Sequence, residues 1–149
     1  MELLKTLVKN QKEYQRILNP MEQDLIIVDD DGILLVILQK MFEKVNPELK
    51  IGTFLKGEEA LMYILESNFP KPPFLMVDLF LQDISGWEIL EKLDEDGRFE
   101  SKVVLITSSV ESGNSAQSSR FKCVSGYYEK PITLEKIRII DQMIIGNRN

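Results

Sequence analysis

Leu25-Ile26-Ile27-Val28-Asp29-Asp30-Asp31-Gly32 is the stretch from which the fold can be read. A short apolar run that ends abruptly in acids fits a strand buried on both faces, with its carboxyl end at a polar rim. Downstream, Leu34, Ile37, Leu38, Met41 and Val45 recur at helical spacing until Asn46-Pro47 stops them. The alternation then repeats. Ile51–Phe54 is a weaker strand and 57–67 a helix with Ala60, Leu61, Ile64 and Leu65 on one side. Phe74–Val77 is a third strand ending at Asp78, and 87–93 a helix opened by Ser85-Gly86. Val103–Ile106 is a fourth strand ending in Thr107-Ser108-Ser109. Val124–Glu129 is a fifth strand, followed by Lys130-Pro131, and a last helix runs from about 133 to 145. Segment 111–122 is rich in Ser, Asn and Gly, which compete with or weaken helix, so a helix there is a weak expectation.

Five strands alternating with helices predict an α/β domain, a doubly wound parallel sheet with helices on both faces. Such folds bind ligands beyond the carboxyl ends of the strands, where the strand order switches. Asp29, Asp30, Asp78, Thr107 and Lys130 all follow strand ends. In a 2-1-3-4-5 order the strands bearing Asp29, Asp30 and Asp78 are neighbours. Carboxylates that close repel by roughly 1 to 4 kcal/mol per pair, so some take up protons or a cation sits among them. Oxygen-only ligands suit Mg2+. With no histidine and a single cysteine, Cys123, zinc is a poor fit and an internal disulfide is excluded.

Each residue also has a plainer reading. Asp30 or Asp31 caps the next helix, Asp78 is a loop acid, Thr107 bonds local backbone and Lys130 makes an ordinary salt bridge. Against these stands their convergence on one rim, where Lys130 is placed to pair a phosphoryl oxygen as a point charge and Thr107 to offer it a hydroxyl. Lys130-Pro131 is also a bond that can be cis at modest cost.

Composition bounds the rest. The chain has 149 residues, a formal net charge of -6 and scattered basic residues, which argues against a nucleic-acid partner. No apolar run approaches a membrane span and the N-terminus is not a secretory signal, so the expected location is the cytoplasm. A nucleotide- or flavin-binding enzyme is disfavoured because the first turn is acidic and lacks a glycine-rich cradle for phosphate.

Four motifs in order carry a family resemblance: Ile-Ile-Val-Asp-Asp-Asp, Met-Val-Asp-Leu with Gly86-Trp87 downstream, Ile-Thr-Ser-Ser, and Gly-Tyr-Tyr-Glu-Lys-Pro. From about Asp24 to Ile145 the chain resembles the receiver domain of two-component response regulators. The resemblance implies a flavodoxin-like fold of order 2-1-3-4-5 and an aspartyl-phosphate mechanism. It makes Asp78 the phosphoacceptor. Asp29 and Asp30 become the Mg2+ pair, Asp30 the direct ligand and Asp29 acting through water, and the backbone carbonyl of Phe80 a further ligand. Thr107 matches the switch hydroxyl, Tyr127 the aromatic that changes rotamer, and Lys130 the family lysine. Gln82 stands where the family usually has proline, and Phe80 is bulky and apolar where many relatives are polar.

The implied phosphodonor is a phosphohistidine on a sensor histidine kinase or phosphotransfer protein, since the chain has no histidine. A downstream protein target is also implied, reading the face of the 111–122 segment, the fifth strand and the last helix. The chain would catalyse only its own phosphorylation and dephosphorylation. With 24–149 as the receiver and 1–23 as a helical extension, too few residues remain for an output domain, so a stand-alone receiver is expected. A phosphorylation-independent adaptor on the same fold is the alternative. Leu4, Leu7, Tyr14 and Leu18 form a heptad-like stripe that allows a homodimer, although a terminal helix packed on its own domain is the simpler reading.

Overall fold

In the computed structural model, residues 23–67, 69, 71–109 and 117–148 are described. Residues 1–22 of the extension, and with them the possible dimer stripe, lie outside them, as do 110–116, which include the first half of the 111–122 segment; residues 117–118 are helical. The elements run β1 (Leu25–Val28), α1 (Gly32–Val45), β2 (Ile51–Phe54), α2 (Gly57–Glu66), β3 (Phe74–Asp78), α3 (Gly86–Asp96), β4 (Val103–Thr107), β5 (Val124–Glu129) and α4 (Leu134–Arg148). The strands form one parallel sheet in the order β2-β1-β3-β4-β5.

Burial follows that order. Every residue of β1, β3 and β4 is buried, whereas the edge strands β2 and β5 are mixed. Alternation along each central strand sorts side chains into two layers. Ile26, Val28, Leu75, Val77, Val103 and Leu105 meet Ala60, Leu61 and Ile64 of α2 and Ile89, Leu90 and Leu93 of α3. Leu25, Ile27, Phe74, Met76, Val104 and Ile106 meet Leu35, Leu38 and Phe42 of α1 and Ile137, Ile140 and Ile144 of α4. Each fully buried side chain of this size contributes roughly 1.5–3 kcal/mol.

The α1 face corrects the sequence reading in part. Leu38 is buried and Leu34, Met41 and Val45 pack half-buried against the core as expected, but Leu35 and Phe42 are buried as well and Ile37 is 47% exposed. Residues 33–38 are all apolar, so spacing there does not distinguish one helix face from another. The α2 face and the buried residues of α4 match the spacing, and α3 and α4 each run about one turn longer than read from sequence.

Helix ends are set by identifiable groups. Asp31 caps α1, accepting the N–H groups of Ile33 and Leu34 at 3.0 and 3.1 Å. Ser85 caps α3 by accepting from Glu88 at 3.1 Å, and Gly97 at φ 77° ends it. At the far end of α1, Asn46 donates its side-chain amide to the buried carboxylate Asp141 of α4 at 3.0 Å. Near the start of β1, the Tyr63 hydroxyl of α2 donates to the side chain of Gln23.

Gly86 holds α3 hard against the end of β3. A Cβ there would stand 3.0 Å from both the Asp78 carbonyl oxygen and Leu79 Cα, and the Gly86 N–H donates to the Leu79 carbonyl at 2.9 Å. Alanine normally favours a helix over glycine by about 1 kcal/mol. Here Gly86→Ala should instead lose roughly 1–2 kcal/mol, as backbone cannot yield as a side chain does. Urea denaturation measures it, and an Ala variant as stable as the parent would show that the strand end gives way.

Candidate functional site

The order reverses between β1 and β3, so the crevice of a doubly wound sheet opens above their carboxyl ends. Asp29 and Asp30 follow β1 and Asp78 ends β3. Their carboxylates offer ligand atoms that all lie within 4.8 Å of one another. Asp29 is fully buried, Asp78 is 5% exposed and Asp30 is half-buried. Asp31, which caps α1, stands apart from the cluster, so the cap reading holds for one acid of the run and not for its neighbours.

Lys130 follows β5 and reaches across to both buried acids. Its Nζ lies 2.8 Å from Asp29 Oδ2 and 3.1 Å from Asp78 Oδ2. The Lys130 N–H donates to the Thr107 carbonyl at 2.7 Å, anchoring the chain from which the side chain departs, and the Lys130–Pro131 bond is cis. The remaining carboxylate oxygens are held by local backbone. Asp29 Oδ1 accepts the Asp31 N–H at 2.9 Å, and Asp78 Oδ1 accepts the Phe80 N–H at 3.1 Å.

Three carboxylates facing one ammonium leave two negative charges in excess. Burial pushes the Asp29 carboxyl above its usual range, and nearby Asp78 adds to the rise. The bonds from Lys130 and from the Asp31 N–H only partly oppose it. Burial works against the Lys130 ammonium too, but its contacts with Asp29 and Asp78 outweigh that and hold it above the usual lysine value. An excess of two, presented by oxygen donors alone and partly open to water at Asp30, fits one hard divalent cation.

Thr107 is buried at the end of β4, beside β3 and β5. Its hydroxyl donates to the Ser109 carbonyl at 3.0 Å and accepts the Ser109 N–H at 3.2 Å, the local backbone bonding that the sequence left open. Tyr127 pairs with Leu105 across β4–β5, and its side chain joins the layer shared with α2 and α3. Since residues two apart share a face of a strand, Thr107 and Tyr127 lie on the same side of the sheet. Phe80 is 54% exposed at the rim and bridges to Ser85 across the loop that follows Asp78. Cys123 is half-buried, and burial pushes its thiol up, as befits a packing residue.

Comparison with known proteins agrees with this architecture. Residues 25–140 match the response regulator receiver domain. The chain belongs to that family. Receiver domains work in two-component systems, where signalling is based on phosphorylation and the interacting proteins are histidine kinases or phosphotransfer proteins. As a family they bind Mg2+ at an acidic pocket, and this receiver has such a cluster. The chemotaxis protein CheV2 of Helicobacter pylori is 30% identical over 115 residues, covering 76% of this chain and 36% of that protein. Response regulator Rre1 of Synechocystis is 24% identical over 125 residues, 83% of this chain and 52% of that protein. The receiver therefore spans about a third to a half of these relatives. Among solved structures, a two-component response regulator from Legionella pneumophila superposes with a TM-score of 0.74 at 19% identity, covering 84% of this chain and 99% of that one. A CheY-like receiver from Methanospirillum hungatei gives 0.71 at 23%, covering 85% and 96%. Among the described residues no helix is long and apolar enough to cross a membrane.

Sequence reasoning missed Asp83. It lies in the loop between β3 and α3, and its carboxylate accepts the first N–H groups of α2, Gly57 at 3.1 Å and Glu58 at 2.9 Å. Limited burial works against its charge, but the backbone donors of Glu58, Ile84 and Gly57 prevail and hold the carboxyl below its usual range. A cap supplied from 26 residues away leaves no local signature in the sequence.

The raised Asp29 value gives a prediction with a definite sign. An acid whose folded value exceeds its unfolded one binds its proton more tightly when folded. Stability therefore falls as pH rises from the ordinary carboxylate range through the folded value. In metal-free buffer at neutral pH, Asp29→Asn should gain about 1 kcal/mol, the scale of one close carboxylate pair at high effective dielectric. The gain should shrink as pH falls towards 4, the ordinary carboxylate range. Thermal denaturation across pH checks this, and a variant less stable at neutral pH would contradict it.

Proposed function

We propose that this receiver is a phosphorylation switch in which Asp78 accepts a phosphoryl group from a phosphohistidine on a partner kinase or phosphotransfer protein. The observation carrying this reading is the Lys130 ammonium shared by Asp29 and Asp78, with Asp30 in the same cluster. Asp29 and Asp30 with Asp78 and the Phe80 carbonyl would hold Mg2+, which supplies positive charge against the phosphoryl oxygens.

A carboxylate oxygen of Asp78 attacks phosphorus in line with the phosphorus–nitrogen bond. The new oxygen–phosphorus bond forms as that bond breaks, and the partner's imidazole leaves with the electron pair. Phosphoryl transfer asks a protein mainly for positioning and charge. Two parts of this site answer that need. The Phe80 N–H orients the Asp78 carboxylate, and Lys130, already directed at Asp78 Oδ2, turns to a phosphoryl oxygen and offsets its charge. Exposed Ile33, Val36 and Ile37, on the helix that follows the acidic turn, give the donor protein apolar surface beside the rim.

The switch works through a contact that differs between states. Without phosphate the Thr107 hydroxyl is occupied by the Ser109 backbone. A phosphoryl oxygen on Asp78 competes for it, and moving Thr107 frees space on the sheet face it shares with Tyr127. The altered surface around β5 and α4 is then read by a downstream protein. In this reading the protein works in the cytoplasm, alone or as two copies joined through residues 1–23, and 24–149 is the receiver proper.

Treatment with acetyl phosphate and Mg2+ should add one phosphoryl group by intact mass. Asp78→Asn should remove that gain, and persistent labelling of the variant would overturn the acceptor assignment. No label on the parent under several donors would favour a phosphorylation-independent adaptor. Lys130→Ala should still take the label yet bind the downstream partner with little response to it. An undiminished response would remove lysine from the signalling role.

A further inference from the structure

The first turn of α2 has no cap of its own. Lys56 at its N-cap position makes no side-chain bond to the helix, although the first N–H groups of any helix need acceptors. Both Asp83 oxygens meet that need, one for Gly57 and one for Glu58. The loop packs where it is tied. A Cβ on Gly57 would come within 2.8 Å of Ile84 Cγ1 and 2.9 Å of Leu81 Cδ1.

The same loop is attached to the acidic cluster at its other end. Phe80 donates to Asp78 Oδ1, Phe80 bridges to Ser85, and Gly86 donates to the Leu79 carbonyl. Between these attachments lies Gln82, whose φ is not locked by a ring as a proline's would be. The rigidity of the loop therefore has to come from bonding across space. Asp83 provides it with two acceptors at a helix N-terminus, where a negative charge is further favoured by the helix dipole.

We infer that Asp83 is a positioning residue for the acidic site: by fastening the β3–α3 loop to α2, it holds the Phe80 backbone against Asp78 and keeps the cluster ready for a divalent cation. This rests on the phosphoacceptor reading only for its consequence in labelling. The effect on the loop and on cation binding stands apart from it.

The test compares Asp83→Ala and Asp83→Asn with Asn46→Ala, which breaks the side-chain bond to Asp141 at the opposite end of α1. Amide exchange by NMR is read at Phe80 and Gly86 without metal. The Mg2+ concentration giving half of the maximal thermal stabilisation is read separately. Asp83→Ala should speed exchange at Phe80 and Gly86 and raise the Mg2+ midpoint, each roughly fivefold, the scale expected for a lost cap. Asp83→Asn, which keeps a carbonyl acceptor, should fall between it and the parent. Asn46→Ala should lower the melting temperature and leave both readouts in place. If Asp83→Ala speeds exchange only at Gly57 and Glu58, with Phe80, Gly86 and the Mg2+ midpoint unchanged, Asp83 is a helix cap and nothing more. Should the alanine variant fail to fold, the asparagine variant decides by the same two readouts. A parent that takes no phosphoryl label overturns the phosphoacceptor reading, while exchange still decides the role of Asp83.

Discussion

One ammonium group holds two carboxylates that the fold has taken out of water. Lys130 reaches Asp29 and Asp78 from the end of edge strand β5, and without it only one backbone N–H bond to each acid would oppose the desolvation cost. A buried cluster of this kind contributes little to stability, since charges in a poor solvent are offset by neighbours rather than favoured by the interior. What it gives is responsiveness. The excess negative charge makes the site sensitive to a proton or a cation, either of which changes the local balance.

The sheet makes this arrangement possible. Its three central strands are buried throughout, apolar up to their polar ends, and covered on both faces, so their carboxyl ends lie at fixed relative heights. Parallel pairing sends those ends in one direction, and the reversal of order between β1 and β3 opens the crevice there. Asp29, Asp78, Thr107 and Lys130 are thus placed by strand termination rather than by flexible loops. Their geometry comes from a rigid core, as a site that relies on positioning requires.

Much of this was legible in the linear sequence, for one physical reason. Strands buried on both faces are written as unbroken apolar runs, so the polar residue that ends each run marks the rim; Asp29, Asp78 and Thr107 were found that way. Periodicity served less well where nothing interrupted the apolar character, as in Ile33 to Leu38, where exposed Ile37 was assigned to the packing face of α1 and buried Leu35 was not. The role of Asp83 could not be read, because it depends on the spatial approach of a loop to a helix far away in sequence. The Thr107–Ser109 bonds were foreseen only as one of two options, since a hydroxyl at a strand end serves local backbone and an incoming ligand equally well.

The pairing of α1 with α4 carries a consequence for how the chain is made. Leu35, Leu38 and Phe42 share their layer with Ile137, Ile140 and Ile144, and Asn46 reaches Asp141 across the same seam. During synthesis the first helix emerges long before its neighbour, so half of that sheet face stays uncovered until nearly all of the domain has left the ribosome. The nascent domain therefore keeps apolar surface uncovered until α4 has been made, and closure of this layer waits on that helix.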